Sequence, residues 1–203
     1  MATTKVYLEQ GKKATFALAL EWPGWARRAR TPELALEELE RYRTRYEKVL
    51  GHEVPTGTIR VVTTVTGTTT TDFGAPDTPG PGDERPFTKA DRQRQVDVLE
   101  RCWRYFDLVV ATSSPQLAKG PRGGGRDRDK IADHVREAER AYSSKIGQRI
   151  APRTPWVEQR EMILRQLKSG VADHAWPARY ALRRMAWHVL DHAWEIEDKS
   201  VTA

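Results

Sequence analysis

Two histidines one helical turn apart carry the clearest chemical signal in this 203-residue chain. They are His188 and His192, with Glu195 three residues further on. At about 3.6 residues per turn, positions 188, 192 and 195 fall on one face of a helix. The stretch that holds them, WPARYALRRMAWHVLDHAWEIEDK (176–199), supplies Trp187, Val189, Leu190, Ala193, Trp194 and Ile196 to the other faces, so this helix is expected to be buried. Neutral imidazole is a good ligand for Zn²⁺, Ni²⁺ or Fe²⁺, and an H-x-x-x-H pair presents two nitrogens to one ion. By itself that spacing is a weak motif, because it is also common on ordinary apolar helices.

A third histidine strengthens it. In DRDKIADHVREAERAYSSKIG (127–147), Ile131, His134, Val135, Ala138 and Tyr142 follow the i, i+3, i+4 rule, which puts His134 in the middle of an apolar stripe. Taken alone, His134 reads as a core histidine bonded to a neighbour. With the H-x-x-x-H pair on a facing helix it reads as the third ligand of an open metal site, with the remaining positions left to water or substrate. Glu195 has three readings: a ligand, an acceptor from an imidazole N–H, or a surface carboxylate. Asp191 is similarly ambiguous. Arg183 and Arg184 are candidates to attract anionic groups.

The elements that must position these residues come in two sets. In the second half, Thr88 caps a helix to about Ser113, with Val96, Leu99, Trp103, Phe106 and Val109 on its apolar face. Cys102 lies inside it and reads as a core cysteine rather than a reactive thiol. KGPRGGGRDRDK (119–130) lacks the G-x-x-x-x-G-K-[ST] spacing of a phosphate loop and reads as a flexible connection. A helix follows over about 127–146, then a shorter one from Thr154-Pro155 through Lys168, then the histidine helix. Four amphipathic helices in succession predict a four-helix bundle. His174 falls in the last connection and is expected to be exposed.

In the first half, Lys5 to Glu9 and Thr15 to Glu21 read as strands, with Gly11 in the turn between them. Thr31-Pro32-Glu33 is a strong start for a helix that runs to about Leu50 and ends at Gly51. Thr58 to Thr66, rich in β-branched residues, reads as a further strand. His52 is placed in a surface loop. The segment 68–86, TTTTDFGAPDTPGPGDERP, is loaded with Thr, Pro, Gly and Asp and reads as a linker. The expected fold class is therefore α+β, with a small β-β-α-β domain (1–67), the linker, and the helical domain (87–203).

Composition limits the function classes. The first 86 residues are electrically neutral, and the whole excess of +6 falls after them. That surplus reads as a solvated surface, and nucleic-acid binding ranks last because no aromatic-basic motif accompanies it. No run approaches the roughly 18 apolar residues that span a membrane. One cysteine and no apolar leader fit a cytoplasmic protein.

Two families are similar to parts of the chain. VYLEQGKKATFALALEWPGWARRARTPELALEELERY (6–42) resembles the antitoxin fold of the HicB type, in which a hairpin ends at a Pro-Gly turn and a threonine-capped helix follows. Residues 87–199 resemble the DinB/YfiT bundles, which hold a metal through one histidine on the second helix and an H-x-x-x-H on the last. His134, His188 and His192 match those positions. This resemblance implies an up-down-down-up bundle, a divalent ion (zinc or nickel most often) and frequent homodimers. It also implies metal-dependent transfer or isomerisation of a small-molecule substrate with a low-molecular-weight thiol such as mycothiol. The short interval between His134 and His188 departs from the family pattern and bears on the thiol-binding surface. On this reading the chain is a metal-dependent thiol transferase, with Glu195 or Asp191 orienting an imidazole or relaying a proton. The competing expectation is a binding protein whose HicB-like front end grips a partner while the bundle dimerises or senses a ligand.

Overall fold

The computed structural model describes residues 3–51, 57–120, 124–170 and 174–200. Among them the chain is α+β, with one four-stranded sheet and seven helices. β1 (Thr3–Gln10) pairs antiparallel with β2 (Thr15–Ala19), and β2 pairs antiparallel with β3 (Ala26–Ala29). Then come α1 (Pro32–Arg41) and α2 (Arg43–Leu50), and the chain returns as β4 (Thr58–Thr66) to lie parallel to β1. The sheet order is β3-β2-β1-β4, so β3 and β4 are its edges.

Local chemistry accounts for several boundaries. The Thr31 hydroxyl accepts from the Leu34 amide at 3.3 Å, and Pro32, which opens α1, has no N–H that would need a partner. The expected single helix is broken at Tyr42, whose backbone (φ −86°, ψ 0°) ends α1 and starts α2. No glycine or proline marks that break. Tyr42 is instead held by packing: Arg27 lies 3.8 Å over its ring and Trp194 meets it edge-on at 5.0 Å. β3 was not expected either. Its sequence, ARRA, has no apolar alternation.

The segment 68–86 is tied down rather than free. Its first residues form α3 (Thr69–Phe73) behind a Thr68 capping box. The Glu9 carboxylate then accepts from the Asp77 amide at 2.8 Å and the Thr78 amide at 3.1 Å. Gly80 presses on the Tyr7 ring so closely that a Cβ would come within 2.7 Å of it. Polar ties, which composition does not reveal, replace the apolar burial this segment lacks.

The remaining helices are α4 (Lys89–Thr112), α5 (Arg128–Lys145), α6 (Trp156–Ser169) and α7 (Ala178–Lys199). α7 packs on α4 and α5, and α6 packs on α4 and α5. The Thr88 cap, with its hydroxyl 3.1 Å from the Asp91 amide, and the Gly170 stop lie where the sequence puts them. Every residue from Tyr180 to Leu190 is buried, Arg183, Arg184 and His188 included. One apolar core runs from Val6, Ala17 and Trp25 through Leu39 and Tyr46 to Val96, Leu99, Met185 and Val189. Cys102 is fully buried in it, and burial pushes its thiol pKa up. No described helix is long and apolar enough to cross a membrane.

Candidate metal centre

α7 reaches the sheet side of the molecule with one stripe of residues. Trp187 meets Phe16 edge-on at 5.6 Å, and Asp191 pairs with Arg27 at 3.0 Å. Gly24 comes so near α7 that a Cβ there would lie 2.8 Å from Leu190 Cδ1. Adjacent residues of a helix are about 100° apart, so the next stripe, Arg184, His188, His192, Glu195 and Lys199, faces elsewhere. It faces α5.

α5 is fixed by a buried carboxylate. Glu139 accepts from Trp156 Nε1 at 2.6 Å and pairs with Arg160 at 3.0 Å, which locks α5 to α6. The apolar stripe of α5 then carries His134 to α7, as its spacing predicts. The ring centroids stand 5.1 Å apart for His134 and His188, 4.9 Å for His134 and His192, and 4.6 Å for His188 and His192. One nitrogen from each ring lies within 4.8 Å of the other two. His188 is only 7% exposed, whereas His134 and His192 are half-buried, so the cluster has a dry inner side and an accessible outer one.

Electrostatics favour neutral rings at His134 and His188. Burial, reinforced by the neighbouring His192 and Arg126, lowers the pKa of His134. Burial and then His192, Arg184 and His134 hold His188 well below the ordinary histidine value. Glu195 lies on the same stripe: Oε2 is 2.8 Å from His192 Nδ1 and Oε1 is 2.5 Å from Lys199 Nζ. The bond to His192, with Lys199 adding to it, brings the Glu195 carboxyl down to about 2. An ionised carboxylate can only accept hydrogen bonds, so Nδ1 of His192 carries the ring proton and a neutral ring leaves its lone pair on Nε2.

The other expected residues divide. Arg184 is 7% exposed, with its guanidinium 4.8 Å from the Tyr142 ring and 4.7 Å from the Trp187 ring, and its Nη1 has no hydrogen-bond partner. Tyr142 also stands edge-on to His188 at 5.5 Å. Arg183 turns the other way, to a buried ion pair with Asp83. Asp191 is directed at Arg27 rather than at the histidines. His174 is exposed, with its ring over Gly147, and His52 lies outside the described residues, as do residues 121–123 of the glycine-rich connection. Sequence reasoning missed Tyr142, Arg126 and Lys199 as neighbours of the cluster. Lys199 was within reach, because it sits four residues after Glu195 on one helix face.

The chain matches no known family model, no curated protein and no solved structure.

Proposed function

We propose that the chain is a metal-dependent enzyme of the DinB/YfiT type, acting on a small electrophilic molecule as a thiol-dependent transferase, isomerase or hydrolase. On this reading α4–α7 form the four-helix bundle, residues 1–67 a HicB-like unit and 68–86 the connection between them. One observation carries the proposal: three imidazole nitrogens from two helices lie within 4.8 Å of one another. Nitrogens around a tetrahedral zinc, at metal–nitrogen distances of about 2.1 Å, stand about 3.4 Å apart, a gap that small ring rotations close. The donor set suits zinc or nickel, and three donors leave coordination positions open.

A divalent ion there supplies the Lewis acidity that makes a thiol such as mycothiol, or a water, nucleophilic at neutral pH. The chain's own residues do the rest. Glu195 fixes the tautomer and the orientation of His192 and is itself held by Lys199. Arg184, buried with an unpaired Nη1, offers a charge-assisted contact to an anionic group of the thiol or the substrate. Tyr142 and Trp187 wall the inner side and keep water from it. Asp191, through Arg27, positions α7 against β3. A homodimer that covers part of the outer side fits the same reading.

Metal analysis of untagged protein purified without added metal tests it. About one equivalent of zinc or nickel, lost in His188→Ala, is expected. Less than about a tenth of an equivalent in normally folded protein, unchanged by His188→Ala, overturns it.

β4 favours a second reading. It is a nine-residue edge strand with Val61 and Val62 more than a third exposed, and such edges accept partner strands. On that reading the HicB-like unit grips a protein partner. A co-encoded small protein that co-purifies with the full chain and is released by Thr63→Pro supports it. Thiol- and metal-dependent turnover without any partner refutes it.

A further inference from the structure

A cleft of about 530 Å³ opens beside Arg179 and Arg183 of α7, with none of the histidines in its lining. β1, β4, the 81–85 loop, α4 and α7 all line it. Its cations outnumber its acids six to three. Three of those cations are already engaged: Arg183 with Asp83, Arg94 with the Glu21 carbonyl at 3.1 Å, and Arg179 with the Pro86 carbonyl at 3.3 Å. Lys5, Arg60 and Arg85 have no ion-pair partner among the described residues.

Lys5 and Arg60 are register partners on neighbouring strands, so two like charges stand side by side at the rim. Such an arrangement repels itself unless an anion lies between them. The floor is unusual as well. Arg183, Asp83 and Gln95 are 5%, 3% and 1% exposed, and Arg183 Nε, Asp83 Oδ1 and Gln95 Oε1 all lack a hydrogen-bond partner. Buried polar atoms are nearly always paired, and four unpaired ones, Arg179 Nε with these three, belong to residues lining this one cleft.

We propose that this cleft binds a small molecule bearing a phosphate group, with the phosphate at Lys5, Arg60 and Arg85. Three unpaired full charges lining one cleft match a dianion better than a single carboxylate, and arginine forks suit phosphate oxygens. The site uses no histidine and does not depend on the metal reading.

The test is calorimetric titration of the full chain, stripped of metal with a chelator, with inorganic phosphate at low ionic strength, where screening is weakest. Saturable one-to-one binding is expected, weakened about tenfold by Lys5→Gln and by Arg60→Gln. Both residues are exposed, so the variants fold. Arg153→Gln, at an exposed arginine outside the cleft, is the charge control and leaves the affinity within about twofold. Acetate binds at least about tenfold more weakly than phosphate. No saturable binding up to about 10 mM overturns the proposal. So does equal weakening by Arg153→Gln, or acetate binding as well as phosphate.

Discussion

Replacing Glu195 by glutamine separates orientation from ligation at the histidine cluster. The substitution keeps the shape of the side chain, and the amide oxygen can still accept from His192 Nδ1, 2.8 Å away. What disappears is the negative charge, which the low carboxyl pKa of about 2 keeps in place across the physiological range. Losing a carboxylate behind a metal-bound imidazole typically weakens metal binding about 10- to 100-fold, or about 1.4–2.7 kcal/mol. At a fixed free zinc concentration that loss comes straight off the ligand-linked stability. For a chain of this size about 1 kcal/mol moves Tm by about 2–4 °C, so zinc-loaded Glu195→Gln melts about 3–10 °C below zinc-loaded wild type. The metal-free variant melts only slightly below metal-free wild type, because the loss there is confined to the partly exposed ion pair with Lys199 and the charge on the His192 bond. Competition against a zinc-chelating dye reads the affinity and a thermal scan reads the stability. Lys199→Met, which leaves the carboxylate on His192, changes zinc affinity by no more than about threefold. If Glu195→Gln binds zinc within twofold of wild type while His192→Ala has lost it, the orienting role is wrong.

Further outcomes follow from the packing around α7. Gly24 has φ +93°, and a Cβ there would meet Leu190 Cδ1 at 2.8 Å and the Ala186 carbonyl at 3.3 Å, so Gly24→Ala is expected to cost about 2–4 kcal/mol in chemical denaturation. Adding Leu190→Ala should not restore stability, because the φ penalty and the backbone contact remain. Asp83→Ala strands the buried Arg183 guanidinium and should cost about 3–5 kcal/mol, whereas the double variant with Arg183→Met recovers more than half of it. Burial, outweighing the bonds from Thr71, Asp77 and Thr78, raises the Glu9 carboxyl above its ordinary value of 4.5. The folded state therefore holds that proton more tightly than the unfolded chain. This group favours folding most below 4.5, and its contribution falls as pH rises through the raised folded value. Glu9→Gln should flatten the stability profile in that window, read by denaturation at a series of pH values. An unchanged slope would refute this account.

The helical half was largely legible because its signals are local. Thr88 and Gly170 terminate helices by backbone chemistry, and the 3.6-residue period alone put His134 on an inward stripe and His188, His192 and Glu195 on one face. The same period separates Asp191 from His192 and Arg183 from Arg184 by about 100°, so their opposite fates were available from the sequence too. β3 and the break at Tyr42 were not available. ARRA becomes a strand because β2 offers it a ladder, and Tyr42 leaves the helix under the contacts of Arg27 and Trp194, which come from distant parts of the chain. The segment 68–86 was opaque for another reason: what anchors it is a handful of specific polar bonds, above all those of Glu9, and composition averages such bonds away.

These long-range contacts bear on the histidines themselves. Arg183, Trp187 and Asp191 bolt α7 to the 68–86 segment, to β2 and to β3, while Arg45 of α2 grips Glu197 at 2.6 Å near the helix end. The residues between them, Arg184, His188, His192 and Glu195, form the stripe turned toward α5. A helix held along one side at four points cannot rotate or slide without breaking buried contacts, since packed interiors deform in discrete steps rather than smoothly. His134 is fixed as firmly from its own side, through Glu139, Arg160 and Trp156. The sheet and its two helices thus contribute none of the three imidazoles, yet they set the rotation of α7 and, with it, the spacing at which His188 and His192 meet His134. Sub-ångström placement of ligands requires supports of that kind. It gives the first half of the chain a physical role at the histidine cluster even though its residues lie outside it.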